Sequence, residues 1–213
     1  KKYNEILNIF KKNNLQITNL YSSTYIKSSS YMKLFKKVEF LSFLDIGWER
    51  STIISYKNKR LIYFNTIPVG GNNITKDISK ILKLNLDHAE KIKKTFNKSE
   101  IEFSFDEKND EEKKFLIQEI IGKNISIDLV KKVILSRVEE IILLILKNIY
   151  FSKELKDSKN SSLILTGNGS KLLNKNSFHL DIKYNFNEIN FYEENDSEIC
   201  NAGCNFDNSD DNQ

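Results

Sequence analysis

The chain has 213 residues, with 33 Lys and Arg against 29 Asp and Glu, and a formal net charge of +4. That length buries a core without staples, and so small a charge excess supplies no basic stripe for nucleic acid. Two cysteines, Cys200 and Cys204, are too few for a disulfide framework and suit a reducing cytosol. The only histidines, His88 and His179, are remote in sequence, so the cysteines read as buried thiols rather than metal ligands. The most apolar run, Val138 to Ile149, is interrupted by Glu139, Glu140, Lys147 and Asn148, so no bilayer span is expected. The chain opens at Lys1-Lys2-Tyr3 without a secretory signal or Met, and its true N-terminus is expected upstream.

In chain order, Asn4 to Asn13 places Ile6, Ile9 and Phe10 at helical spacing, which predicts an amphipathic helix. Leu15, Ile17 and Leu20 suggest a short strand, and Tyr21 to Phe35 a helix. Glu39 to Gly47 is a nearly continuous apolar run, as in a strand covered on both faces. Ser51 to Tyr56 and Leu61 to Thr66, joined by Lys57-Asn58-Lys59-Arg60, spell a hairpin. After Pro68-Val69-Gly70-Gly71, Asn73 or Thr75 caps a helix with Ile74, Ile78, Ile81 and Leu82, and Asp87 caps another reaching Phe96. Ile101 to Phe105 and Phe115 to Ile121 read as short strands of a small insert. The longest helix begins at Ser126 and carries a broad apolar stripe to about Tyr150. A buried strand, Ser162 to Leu165, runs into Thr166-Gly167-Asn168-Gly169-Ser170. A further helix, a strand from Phe178 to Tyr184, a closing helix near Asp196 to Phe206 and an acidic disordered tail complete the expectation. This order predicts an α/β fold, a mixed sheet flanked by helices with a small inserted α+β subdomain.

Two strand ends carry the functional expectation. Asp45-Ile46-Gly47 and Thr166-Gly167-Asn168-Gly169 each close a buried strand with a small-residue turn. Ligands of open α/β sheets bind outside the carboxyl ends of strands, where glycines let backbone amides approach a phosphate or base. The two turns are therefore expected to wall one crevice, although either alone reads more readily as a plain connector.

The succession of these turns with Ile67-Pro68-Val69-Gly70-Gly71, Ala89-Glu90-Lys91-Ile92-Lys93, the long helix and Leu163-Ile164-Leu165-Thr166-Gly167 resembles the FtsA family. Asn19-Leu20-Tyr21-Ser22-Ser23 and Asn201-Ala202-Gly203 extend the resemblance over almost the whole chain. It implies an actin-like (ribonuclease H-like) fold. Residues 1–36 would end the first lobe and link it to the second. Residues 37–80 would form second-lobe core with the phosphate loop, 81–124 the insert, and 125–206 core with the adenosine loop, ahead of a tail at 207–213. The implied ligand is ATP with Mg2+. Asp45 would sit near the metal, and Gly47 would line the phosphates with Ser51 offering a hydroxyl. Glu90 and Lys93 would face ribose and adenine, and Gly167, Asn168, Gly169 and Ser170 would shape the adenosine wall. From charge pattern alone, Glu90 and Lys93 are an ordinary solvated ion pair.

The resemblance further implies a division scaffold at the cytoplasmic face of the inner membrane. It would bind the C-terminal peptide of the tubulin-like protein FtsZ, associate with itself and other division proteins, and reach the membrane through segments not present here. Lys123, Lys131, Lys132 and Arg137 would meet an acidic peptide by complementary charge, and reversing Arg137 to Glu is expected to lower peptide affinity and leave folding intact. The pattern departs from the family at Trp48-Glu49-Arg50, where further glycines and threonines are expected. The phosphate loop is degenerate, which implies altered or weakened nucleotide binding and at most a weak ATPase. Alternatives are another actin-superfamily ATPase (a pilus-assembly protein or chaperone ATPase) or a non-nucleotide-binding interaction module.

Overall fold

The computed structural model describes residues 2–17, 19–32, 34–35, 37–98, 126–150, 152–172 and 186–192. Two helices come first, α1 (Lys2–Lys12) and α2 (Ser23–Met32). Strands β1 (Phe40–Ile46), β2 (Ser51–Lys57) and β3 (Arg60–Ile67) follow, then α3 (Gly71–Leu82) and α4 (Leu86–Lys98). The long helix is α5 (Ile127–Tyr150), followed by the short α6 (Lys153–Lys156), β4 (Ser161–Thr166), a 3-10 turn at Ser170–Leu172 and β5 (Glu188–Phe191). The five strands form one mixed sheet in the order β3-β2-β1-β4-β5. β1 to β3 are antiparallel neighbours, whereas β4 runs parallel to both β1 and β5.

Side-chain alternation along β1 explains how this sheet is covered. Phe40, Leu44 and Ile46 enter one core with Ile53, Leu163 and Leu165. Leu41 and Phe43 enter a second core on the opposite face, with Ile54, Tyr56 and Ile164. The first core is closed by α3, α4 and α5. Val130, Val133, Ile134, Val138, Ile141, Ile142, Ile145, Leu146 and Ile149 recur at three- and four-residue spacing on α5, which gives a wide buried stripe. The second face is closed by α2, whose Tyr31 stacks on Phe43 at 6.0 Å between ring centroids. Ser28 on the same helix shares a 2.7 Å hydrogen bond with the Tyr56 hydroxyl, and burial raises the Tyr56 phenol above its ordinary pKa.

The β2–β3 hairpin turns on Asn58 and Lys59, with φ of 51° and 66°. Two left-handed residues make the turn whose twist matches paired strands. Several expected boundaries move. α3 starts at Gly71, and Asn73 acts from inside its first turn, its side chain accepting the Gly70 N–H at 3.1 Å. α4 starts at Leu86, with the Asn85 side chain accepting the His88 N–H at 2.8 Å, so Asp87 lies in the first turn rather than at the cap. The described residues between Leu15 and Leu20 form no strand. β5 was not expected: Glu188-Ile189-Asn190-Phe191 has only two apolar residues.

Leu84, Ala89 and Ile92 belong to the main core. α4 thus packs on the main core through Ala89 and Ile92. The strands expected at 101–105 and 115–121, the strand at 178–184, the closing helix, the tail, Lys123, His179 and both cysteines lie outside the described residues. No helix among the described residues is long and apolar enough to cross a membrane.

Candidate nucleotide cleft

The ends of β1 and β4 lie side by side because the two strands are parallel and in register, Asp45 opposite Thr166. Parallel neighbours deliver their following turns to the same sheet edge. There the turn after β1 (residues 47–50), the N-terminus of α3 and the turn after β4 converge. The Gly71 N–H donates to the Gly47 carbonyl at 2.8 Å, and the Asn72 N–H to the Trp48 carbonyl at 2.7 Å. The Gly169 N–H donates to the Ile46 carbonyl at 2.9 Å. A cavity of about 800 Å3 opens beside this junction, within the range of about 300–1,000 Å3 typical of small-molecule sites.

The glycines of these turns are required for the convergence itself. A Cβ on Gly70 would come within 2.6 Å of the Gly47 carbonyl oxygen and 2.7 Å of that of Trp48. A Cβ on Gly169 would strike Ile46, and one on Gly167 would strike the Asp45 carboxylate. Gly167 also has a φ of 83°, in the left-handed region that favours glycine.

The cavity is lined by Asp45, Gly47, Glu90, Lys93, Gly167, Asn168 and Gly169, all expected from sequence. Ser51 and Ser170 are different. Ser51 is fully buried and donates to the Val69 carbonyl at 2.8 Å, so its hydroxyl ties the hairpin to the segment before α3 and is not turned to a ligand. The Ser170 hydroxyl donates to the Gly167 carbonyl at 2.7 Å and stiffens the second turn from behind. Lys27, Trp48, Gly71, Lys94, Lys171, Leu172 and Tyr192 also line the cavity and were not foreseen as doing so. Lys27, Lys94 and Tyr192 carry no local signal, because only the packing of α2, α4 and β5 brings them there, whereas the other four adjoin the expected turns.

Glu90 and Lys93 are not a solvated pair. The Lys93 ammonium meets Glu90 at 2.6 Å, the Thr75 hydroxyl at 2.8 Å and the Gly71 carbonyl at 3.1 Å. It also lies 4.5 Å from the centre of the Trp48 ring, a cation–π contact. One lysine thus ties α4, the start of α3 and the turn after β1 together. Burial lowers its pKa from the ordinary lysine value, with Glu90 opposing the shift. No residue from 47 to 50 has a positive φ, so Trp48 sits in this turn without backbone strain. Half of the Trp48 surface remains exposed at the cavity.

A nucleotide fits this cleft in size and in charge, since Lys94 and Lys171 add positive charge at its lining. A magnesium ion does not fit at Asp45. Its Oδ2 pairs with the Lys27 ammonium at 3.4 Å and accepts the Thr24 hydroxyl at 3.2 Å, so a cation there would have to displace Lys27. Among the described residues, no group of three His, Cys, Asp or Glu side chains is placed to hold a metal.

On α5, Lys131 is half-buried and Lys132 exposed. Arg137 is committed within the chain. Its Nη2 donates to Asp77 of α3 at 3.0 Å and its Nη1 to Glu140 at 2.6 Å. The Asp77 hydrogen bond, followed by its charge and that of Glu140, raises the guanidinium pKa further.

Comparison with known proteins agrees with this architecture. The family model described as cell division protein FtsA matches residues 42–176, from β1 past the turn after β4. Cell division protein FtsA of Bacillus subtilis (strain 168) is 32% identical over 89 residues, covering 42% of this chain and 20% of the relative. FtsA of Neisseria meningitidis serogroup B is 30% identical over 135 residues, covering 61% of this chain and 31% of the relative. The chain thus aligns with between a fifth and a third of the length of these curated relatives. Among solved structures, MreB5 of Spiroplasma citri bound to ADP superposes with a TM-score of 0.62 at 15% identity, over 96% of this chain and 64% of that one. The PilM-PilN type IV pilus biogenesis complex gives 0.56 at 16% identity, over 91% of this chain and 47% of that one. At such identities the likeness establishes the actin-like fold alone. With the family match spanning well over half of its length, the chain belongs to the FtsA family of cell division proteins.

Proposed function

We propose that the chain is the nucleotide-clasping lobe of an FtsA-type division scaffold. The scaffold links the FtsZ ring to the cytoplasmic face of the membrane, with an adenine nucleotide as an assembly or conformational ligand. The observation that carries this reading is the convergence of the β1 turn, the start of α3, α4 and the β4 turn on one cavity. Adenosine would lie between the Gly167-Asn168-Gly169 turn and the Glu90 side of α4, its phosphates towards Gly47 and the lysines. Lys93 would act by holding the walls together, since its ammonium is already fully engaged.

The nucleotide is read as a ligand, with turnover at most weak, because Trp48-Glu49-Arg50 stands where the phosphate turn would carry further glycines and threonines. The FtsZ peptide would meet the basic side of α5 at Lys131 and Lys132, and Arg137 would support that surface through Asp77. Self-association and contacts with other division proteins and the membrane would involve the remaining length of the protein.

Two measurements on the full-length protein test the reading. Titration with ADP followed by calorimetry should show saturable binding. Fluorescence anisotropy with the C-terminal peptide of FtsZ from the same organism should show binding that weakens when Lys131 and Lys132 are changed to Glu. No heat with ADP, with peptide binding intact, would leave a nucleotide-free interaction module, which the bulk of Trp48 at the phosphate turn favours. Absence of peptide binding would remove the FtsZ role.

A further inference from the structure

We infer that Lys27 takes the place of a divalent cation at Asp45, so that the cleft accepts a nucleotide phosphate without bound magnesium. The inference rests on the nucleotide reading above and specifies how its anionic part is recognised.

The argument begins with strand parity. Asp45 lies on the face of β1 that also carries Leu41 and Phe43, the face covered by α2. On α2, Thr24 and Lys27 are three residues apart and share a helix face with Ser28 and Tyr31. Tyr31 packs on Phe43 and Ser28 bonds to Tyr56, which fixes the height and rotation of the helix. Lys27 is thereby brought to the Asp45 carboxylate, and both residues line the cavity. The Lys27 and Asp45 side chains are only 12% and 15% exposed. A pair so shielded is not a solvated surface contact.

The consequence is electrostatic. A magnesium ion requires near-octahedral oxygen ligands at about 2.0–2.1 Å and retains several waters. At Asp45 one carboxylate oxygen is already shared by an ammonium and a hydroxyl. A divalent ion placed there would have to displace Lys27 from its counter-ion or sit beside a like charge. The ammonium can itself donate to a phosphate oxygen, and as a compact point charge it suits that role. Lys171 and Lys94 at the lining supply further neutralisation. The phosphate chain would therefore be recognised as the free anion.

The test is calorimetric titration of the full-length protein with ADP, once with magnesium and once with EDTA. The expected result is a Kd that differs by no more than about twofold between the two conditions. Lys27→Met should weaken binding in EDTA by about tenfold, with partial recovery on adding magnesium, whereas Lys27→Arg should behave as the parent protein. A thermal melt of each variant shows whether the fold is retained, and the parent comparison stands without any variant. Binding that is more than about tenfold weaker in EDTA would overturn the inference and leave the nucleotide reading in place. No binding in either condition would overturn both.

Discussion

Gly70, Gly167 and Gly169 hold three chain segments closer together than any residue with a Cβ permits. Gly169→Ala is expected to destabilise the protein by about 1–3 kcal/mol, because the added carbon meets Ile46, itself fully buried and unable to yield. Urea unfolding of the variant measures this, and a loss below a few tenths of that range would show the turn to be pliant. Lys93 offers a pH-dependent test. Burial places its folded-state pKa below the ordinary 10.5, so the folded chain releases the proton first as pH rises. Stability should therefore increase with pH between that depressed value and 10.5, and the unfavourable contribution is complete below it. The difference in unfolding free energy between the parent and Lys93→Met should shift towards the parent across that alkaline window. The opposite trend would mean that attraction to Glu90 outweighs burial. At this scale Asp45 and the Gly167 turn were legible as strand ends, whereas Glu90 and Lys93, inside α4, were marked only by the resemblance. Lys27 and Tyr192 were marked by neither, because nothing local to them marks a cleft.

Arg137 shows how an element reassigns a residue. Read on its own helix, it is a basic group on a solvated face. In the fold it binds Asp77 of α3 with two nitrogens and pins the two helices over the core. A double-mutant cycle with Arg137→Ala and Asp77→Ala should give a coupling of about 0.5–1 kcal/mol, discounted because both side chains are about a quarter exposed. Arg137→Glu, expected from sequence to spare the fold, should instead lower stability, since it sets a new carboxylate against those of Asp77 and Glu140. A coupling indistinguishable from zero would restore the view of Arg137 as a surface group. The strong elements were readable because their patterns are unambiguous: the apolar run of β1, the hairpin around Asn58-Lys59 and the stripe of α5. The caps of α3 and α4 moved by a few residues, because Gly70 and Asn85 compete with other polar residues nearby that are equally able to cap in sequence terms. β5 escaped notice because a short strand beside β4 draws its stability from pairing rather than from its own composition.

Across the whole molecule, α2 couples one face of the sheet to the cleft. Tyr31→Ala should cost about 3 kcal/mol of stability by emptying the contact with Phe43 and Tyr192. Thermal unfolding gives the magnitude, and an unchanged melt would mean that α2 is not anchored there. The sequence by itself determined the strong elements from β1 to β4 and the two glycine turns, because periodicity and turn chemistry are local properties of the chain, and the succession of its motifs carried the likeness to the family. Only the tertiary structure decided that β4 runs beside β1 and so brings the turns to one cavity. It alone decided that Ser51 faces inward, that Arg137 is spent on Asp77, and that Lys27 reaches Asp45. Those outcomes depend on which distant segments share a face of the sheet, and strand parity and helix docking settle that only when the whole core closes.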